Sequence, residues 1–250
     1  CLIVNVERGG PGLGGIQPAQ SDYWQATRAL GHGDFHVLVF APSTVQEVVD
    51  LVFLAYDLAE KYRMPALLLS DGLLGQMMEP VSFPDPVEGG AEKPWAACGH
   101  QNKRPHNIIN SLYLKADELE RTVVERFARY AQIEAKEQRC QQYLCYILVA
   151  FGATSRVSQS AVDTLRAQGI KAGLLRPITL WPFPKDAIRA HIPHVKGFLS
   201  VEMSMGQMVD DVRLAVEGKA PVGFFGRTGG VIPKPSEVVE AVRKMAGGDR

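Results

Sequence analysis

Val37-Leu38-Val39-Phe40, then Ser43 to Tyr62, then Ala66-Leu67-Leu68-Leu69 is the stretch that decides the fold. The two short runs are apolar without alternation, as expected of strands buried on both faces of a parallel sheet. Between them Val48, Leu51, Val52, Ala55, Leu58 and Ala59 recur at helical spacing. Ser43 and Gln46 stand as a capping-box pair at the helix start, and Pro65 closes the helix. Strand, helix and strand in this order form a βαβ unit, which predicts a doubly wound, mostly parallel sheet.

Upstream, Leu2–Val6 reads as a third strand buried on both faces. The run Cys1-Leu2-Ile3-Val4-Asn5-Val6 reads as a strand already under way. A lipid anchor would want a polar linker there, so the chain is expected to begin in mid-domain. Downstream, Pro84, Pro86, Gly89, Gly90, Pro94, Gly99 and Pro105 crowd the stretch from Val81 to Asn110, which reads as an irregular connector. Leu119, Val123, Phe127 and Tyr130 then mark an amphipathic helix, with Asp117–Arg121 and Glu125–Arg129 as supporting pairs. A second α/β series follows, with strands near Leu144–Phe151, Gly173–Leu175, Gly197–Val201 and Val222–Phe225. Helices are expected near Ser158–Ala167, Gln207–Glu217 and Ser236–Met245.

The predicted architecture is therefore α/β, two doubly wound domains over residues 1–81 and 115–250, joined by a connector over 82–114. The first domain has too few strands for a doubly wound sheet, so it reads as incomplete at its N-terminus. At 250 residues, 46% hydrophobic and 22% charged, the chain can bury a core. Lys+Arg and Asp+Glu both number 27, so charge argues for neither a nucleic-acid partner nor an anionic membrane. No apolar run approaches the roughly 18 residues of a membrane span. Four cysteines are too few for a disulfide scaffold, which points to reduced thiols and the cytoplasm.

Gly10-Pro11-Gly12-Leu13-Gly14-Gly15 follows a strand and fits a dinucleotide-binding glycine loop. Ile16-Gln17-Pro18 delays the helix that loop requires, and no acidic residue ends the next strand. A glycine loop at a strand's C-terminal end is nonetheless where such sheets bind ligands. Arg8, just before it, either forks a carboxylate or phosphate, or pairs with Glu7 or Asp22 at the surface. His32 and His36 would be catalytic only if they faced that loop. Cys140-x4-Cys145, Cys98-x-His100 with His106, and His191-x-x-His194 are each incomplete as metal sites. Ser70-Asp71-Gly72 lacks the downstream asparagines of a metal–diphosphate motif.

Longer segments carry more. Val4-Asn5-Val6-Glu7-Arg8-Gly9-Gly10-Pro11-Gly12-Leu13-Gly14 resembles the pyrimidine-domain loop of 2-oxoacid:ferredoxin oxidoreductase alpha-type subunits. Gln20-Ser21-Asp22-Tyr23, Gly31-His32-Gly33-Asp34 and Leu73 to Val81 follow in that family's order. Leu175 to Pro184, Glu202 to Met208 and Gly226-Arg227-Thr228-Gly229-Gly230 resemble its transketolase-C-like domain. Gly12-Leu13 stands where members acting on 2-oxoglutarate usually carry Ser-Thr, and the loop looks closest to the branched-chain, 2-oxoisovalerate type.

The resemblance implies a multi-subunit enzyme that decarboxylates a 2-oxoacid oxidatively to acyl-coenzyme A and passes the electrons to ferredoxin. Thiamine diphosphate would be shared with a beta-type subunit, coenzyme A would be a co-substrate, and Mg²⁺ and iron–sulfur clusters would sit on partner subunits. The partners implied are beta-type, gamma-type and ferredoxin-like subunits in a hetero-oligomer or dimer, with ferredoxin as acceptor. Arg8 is then expected to hold the substrate carboxylate, and Gly9, Gly10 and Pro11 to shape the loop beside the cofactor. No catalytic acid or base is identified, and no metal ligand. Two other classes stay open: an NAD(P)-binding oxidoreductase using the Gly10–Gly15 loop, and a non-catalytic assembly subunit.

Overall fold

The computed structural model describes residues 1–85, 92–142 and 146–247. In chain order the first half holds β1 (Leu2–Glu7), α1 (Tyr23–Thr27), β2 (Leu38–Phe40), α2 (Val45–Tyr62), β3 (Ala66–Asp71) and α3 (Gly72–Gly75). After the connector come α4 (Ala116–Lys136), β4 (Cys140–Gln142), β5 (Tyr146–Val149), α5 (Gly152–Ala167), β6 (Ala172–Pro177) and β7 (Thr179–Trp181). The chain then runs through α6 (Lys185–His191), β8 (Phe198–Glu202), α7 (Met208–Val216), β9 (Val222–Gly226) and α8 (Pro235–Gly247). The expected strand start at Leu144, the Cys145 of the cysteine pair, and Pro86, Gly89 and Gly90 lie outside the described residues.

Two mostly parallel sheets result, in the orders β1-β3-β2-β7 and β4-β6-β5-β8-β9. The βαβ unit is as expected: β2 and β3 pair in parallel, with Leu38 opposite Ala66 and Phe40 opposite Leu68. Its helix starts one residue later than the capping-box reading. Thr44, not Ser43, is the N-cap, accepting from the Glu47 N–H at 3.1 Å, while the Glu47 carboxylate reaches back to the Ser43 N–H at 2.8 Å. Glu47 wins over Gln46 because a carboxylate is also what the buried Arg176 guanidinium needs, and the two form a bidentate pair at 2.6 and 2.9 Å.

β1 departs from expectation. It is an edge strand, and Val4 and Val6 are 58% and 51% exposed, the short α3 touching Val6 only at Gly75. The pairs Asp117–Arg121 and Glu125–Arg129 do not close among the described residues either; Lys115–Glu118 does, at 3.4 Å. Residues 92–115 carry no helix or strand.

The second half also completes the first sheet. β7 pairs antiparallel with β2, Val39 opposite Trp181, and one apolar core runs through Phe40, Leu68, Tyr130, Phe151, Leu175, Trp181 and Phe198. The halves thus share a strand and a core rather than meeting only through the connector. A second core fills the space between the second sheet, α5 and α8, through Leu148, Val162, Leu165, Val201 and Val238. No helix among the described residues is long and apolar enough to cross a membrane.

Candidate functional site

The glycine loop leaves the C-terminal end of β1 and folds straight back. Gly9 donates to the Gln17 carbonyl at 2.7 Å, Gly15 to the Gly9 carbonyl at 2.8 Å, and Arg8 bridges Pro18 in antiparallel sense. A pyrophosphate site needs such a loop to run into a helix N-terminus. Here it closes into a hairpin and the next helix begins only at Tyr23, which removes the basis of the dinucleotide reading.

Arg8 is wrapped by the loop it precedes. Its Nη1 donates to the Gly9 carbonyl at 2.9 Å and its Nη2 to the Gly12 carbonyl at 2.7 Å. Gly14 is left-handed, φ 51°, and a Cβ there would lie 2.3 Å from Arg8 Nη1, so only glycine lets the loop close on the guanidinium. The surface-pair alternative for Arg8 is not what forms. Glu7 spends its Oε2 on the Asp22 N–H at 2.7 Å, and Asp22 accepts from Asn5 at 3.1 Å. The rest of the Arg8 fork has no protein acceptor among the described residues and is exposed. Beside it Gly9 is buried, while Gly10 and Pro11 are exposed, with open space where a Gly10 Cβ would stand.

The second half holds this loop in place. Gln20, fully buried, donates to the Phe151 carbonyl at 2.8 Å and accepts from the Met203 N–H and the Thr154 hydroxyl, each at 3.1 Å. Gln207 accepts from the Trp24 N–H and donates to the Ser21 carbonyl, both at 2.8 Å. Buried Tyr23 donates to Asp211 at 2.6 Å, and Arg28 grips the same carboxylate. Gly230 packs so closely that a Cβ there would lie 2.2 Å from the Gln17 Cβ. The Gly226–Gly230 segment and the Arg8 loop, far apart in the chain, therefore meet.

Beneath the loop lies an acidic interior of Glu7, Asp71 and Glu202, all buried. Burial pushes the Glu7 carboxyl well above the usual carboxylate range, opposed by the Asp22 N–H and reinforced by the charges of Asp22, Asp71 and Glu202. Its Oε1 is buried without a partner. Burial also raises Asp71, against the Ala153, Leu74 and Leu73 N–H groups that favour its charge. The folded Glu7 therefore keeps its proton to higher pH than the unfolded chain does, so its contribution to stability falls as pH rises from the ordinary carboxylate range toward the elevated folded value. Glu7→Gln keeps the shape and the acceptor for Asp22 without the charge. We expect it to match the parent in melting temperature at acid pH and to exceed it at pH 8; a lower melting temperature at pH 8 would show that the fold needs the ionised carboxylate.

The histidine and cysteine motifs do not join the site. His36 stacks on Trp181, ring centroids 4.7 Å apart, and its backbone N–H donates to Tyr130 Oη. His191 bonds Gln142 at 2.8 Å, and His100 bonds His106 at 3.2 Å. Among the described residues no group of three His, Cys, Asp or Glu side chains gathers to hold a metal ion. Glu7, Gln20, Glu202 and Gln207 lie in segments the sequence reading quoted, but it gave their side chains no structural role. A buried polar side chain is marked by its distant partners, and no local pattern exists for that.

Residues 1–140 match the model of the pyruvate flavodoxin/ferredoxin oxidoreductase thiamine-diphosphate-binding domain, and 145–238 that of pyruvate:ferredoxin oxidoreductase core domain II. The chain belongs to this 2-oxoacid:ferredoxin oxidoreductase family. It is 46% identical over 252 residues to the ketoisovalerate oxidoreductase subunit VorB of Methanothermobacter thermautotrophicus, covering 99% of this chain and 71% of that one. It is 30% identical over 284 residues to the 2-oxoglutarate synthase subunit KorA of the same organism, covering 98% and 73%. A solved 2-oxoglutarate:ferredoxin oxidoreductase from Magnetococcus marinus shares the fold with a TM-score of 0.75 at 21% identity, over 98% of this chain and 48% of that one.

Proposed function

We propose that this chain is an alpha-type subunit of a thiamine-diphosphate-dependent 2-oxoacid:ferredoxin oxidoreductase acting on a branched-chain 2-oxoacid of the 2-oxoisovalerate type. The observation that carries the reading is the exposed Arg8 guanidinium at the C-terminal end of a parallel strand, braced by the Gly9 and Gly12 carbonyls while its remaining N–H groups meet no acceptor among the described residues. A planar carboxylate would take those remaining N–H groups in two-point contact. Residues 1–81 would form the pyrimidine-binding part, 82–114 the connector, and 115–250 the transketolase-C-like part, which lends β7 to the first sheet.

The loop fits one end of the cofactor and not the other. Gly10 presents exposed backbone with open space where a side chain would stand, next to the compact Pro11 ring and the buried Gly9, as a ring face requires, whereas no described cluster of oxygen ligands offers a metal–diphosphate cradle. Bound thiamine diphosphate supplies a nucleophilic carbon and an electron sink for decarboxylation. This chain's share is to orient: Arg8 fixes the carboxylate, Gly14 lets the loop close, and Gln20 and Gln207 hold the loop against the second half. The diphosphate, Mg²⁺ and iron–sulfur clusters would belong to beta-type and ferredoxin-like partners, with a gamma-type subunit, and the acyl group would pass to coenzyme A. No acid or base is assigned to this chain.

Two measurements test this. Mass spectrometry of proteins co-purifying from the native source should find a thiamine-binding beta-type subunit and a ferredoxin-like subunit. The isolated chain should not bind thiamine diphosphate with Mg²⁺ tightly by calorimetry; submicromolar binding to it alone would remove the proposed division of labour.

A further inference from the structure

Beyond the Arg8 fork the loop tip is purely apolar. From Gly9 to Ile16 the only residues other than glycine are Pro11, Leu13 and Ile16, so no charged or hydrogen-bonding side chain stands on it. Leu13 is 97% and Ile16 83% exposed. Single exposed apolar residues are ordinary. These two sit on a tip that is held from below: Arg8 grips the Gly12 carbonyl next to Leu13, and the hydrogen bond from Gly9 to Gln17 fixes the limb that carries Ile16. The tip thus places two aliphatic side chains within a residue or two of the peptides that brace the Arg8 guanidinium, whose remaining N–H groups have no acceptor among the described residues.

We propose that Leu13 and Ile16 are specificity-determining residues that contact the aliphatic side chain of the 2-oxoacid whose carboxylate Arg8 holds. The inference rests on the function proposed above and adds the residues that choose the substrate. A branched aliphatic tail sheds water on meeting Leu13 and Ile16. A second carboxylate in the same place would lose water and find no charged or hydrogen-bonding side chain on the tip, so dicarboxylic 2-oxoacids are disfavoured relative to branched aliphatic ones. Pyruvate, with only a methyl group, makes a smaller contact and gains less.

The test uses the enzyme assembled with its partner subunits, comparing the parent, Leu13→Ser and the Leu13→Ser/Ile16→Ser double variant. The quantities measured are kcat and KM for 2-oxoisovalerate, pyruvate and 2-oxoglutarate, thiamine diphosphate affinity by fluorescence, and subunit composition by light scattering. Removing apolar contact should lower kcat/KM for 2-oxoisovalerate about ten- to a hundredfold, carried mainly by KM. Pyruvate use should fall far less, with cofactor affinity and subunit composition unchanged. An unchanged ratio between 2-oxoisovalerate and pyruvate overturns the inference while leaving the function standing. Loss of a partner subunit at an unchanged ratio also overturns it, by making the tip an interface contact. A parent enzyme that leaves 2-oxoisovalerate unused removes the substrate reading itself, and the inference with it.

Discussion

Glu202→Ala should destabilise the fold by about 3–5 kcal/mol, the largest stability loss expected from any single change near the site. The Glu202 carboxylate is fully buried at the N-terminus of α7 and accepts five hydrogen bonds. Its Oε1 takes the Ser200 hydroxyl and the Val209 N–H, both at 2.9 Å. Its Oε2 takes the Ser204 hydroxyl at 2.8 Å and the Gln207 and Met208 N–H groups at 2.9 and 3.1 Å. α7 has no side-chain cap of its own, so this carboxylate from the preceding strand satisfies the free N–H groups and meets the positive helix end. Alanine would leave three N–H donors, two of them buried, and two buried serine hydroxyls without their acceptor. A thermal melt should show a drop of roughly 10 °C, and a change of under about 2 °C would mean that water or rearrangement replaces the carboxylate. Because Gln207 also holds Ser21 and Trp24, the loss should reach the Arg8 loop.

Arg8→Lys should lower kcat/KM for the 2-oxoacid by about ten- to a hundredfold in the assembled enzyme, equivalent to roughly 1.5–3 kcal/mol, with thiamine diphosphate affinity much less affected. A lysine keeps the charge and loses the fork, so a two-point grip on a carboxylate becomes one. The structure adds a second reason for the loss: the guanidinium also bonds the Gly9 and Gly12 carbonyls, and an ammonium cannot brace both and still face a substrate. Steady-state kinetics beside a thermal melt separate the two contributions. Unchanged kcat/KM with a lowered melting temperature would reduce Arg8 to a brace of its own loop.

Sequence alone determined the parts of this protein that are written in short windows. The apolar runs and helical spacing between Val37 and Leu69 predict β2, α2 and β3, because periodicity records which side of an element faces the core. The series after residue 144 places β6, β8, β9 and helices α5, α7 and α8 for the same reason. Arg8 and the glycines after it were legible as a tight loop leaving the strand end, since left-handed backbone and close approach demand glycine. Tertiary structure decided the rest. Thr179–Trp181 is too short and too close to proline to read as a strand, and becomes one only because β2 offers it an edge. Val4 and Val6 look like core until the strand order leaves them at the margin. Gln20, Glu7 and Glu202 look like ordinary surface residues, and the partners that bury them come from elsewhere in the fold. Gln20 meets Phe151 across 131 positions, and a hydrogen bond of that span leaves no trace in the residues beside it. Apolar burial is repeated along an element and so shows as a pattern, whereas a buried polar group is satisfied once, by whichever donor or acceptor the assembled chain brings to it.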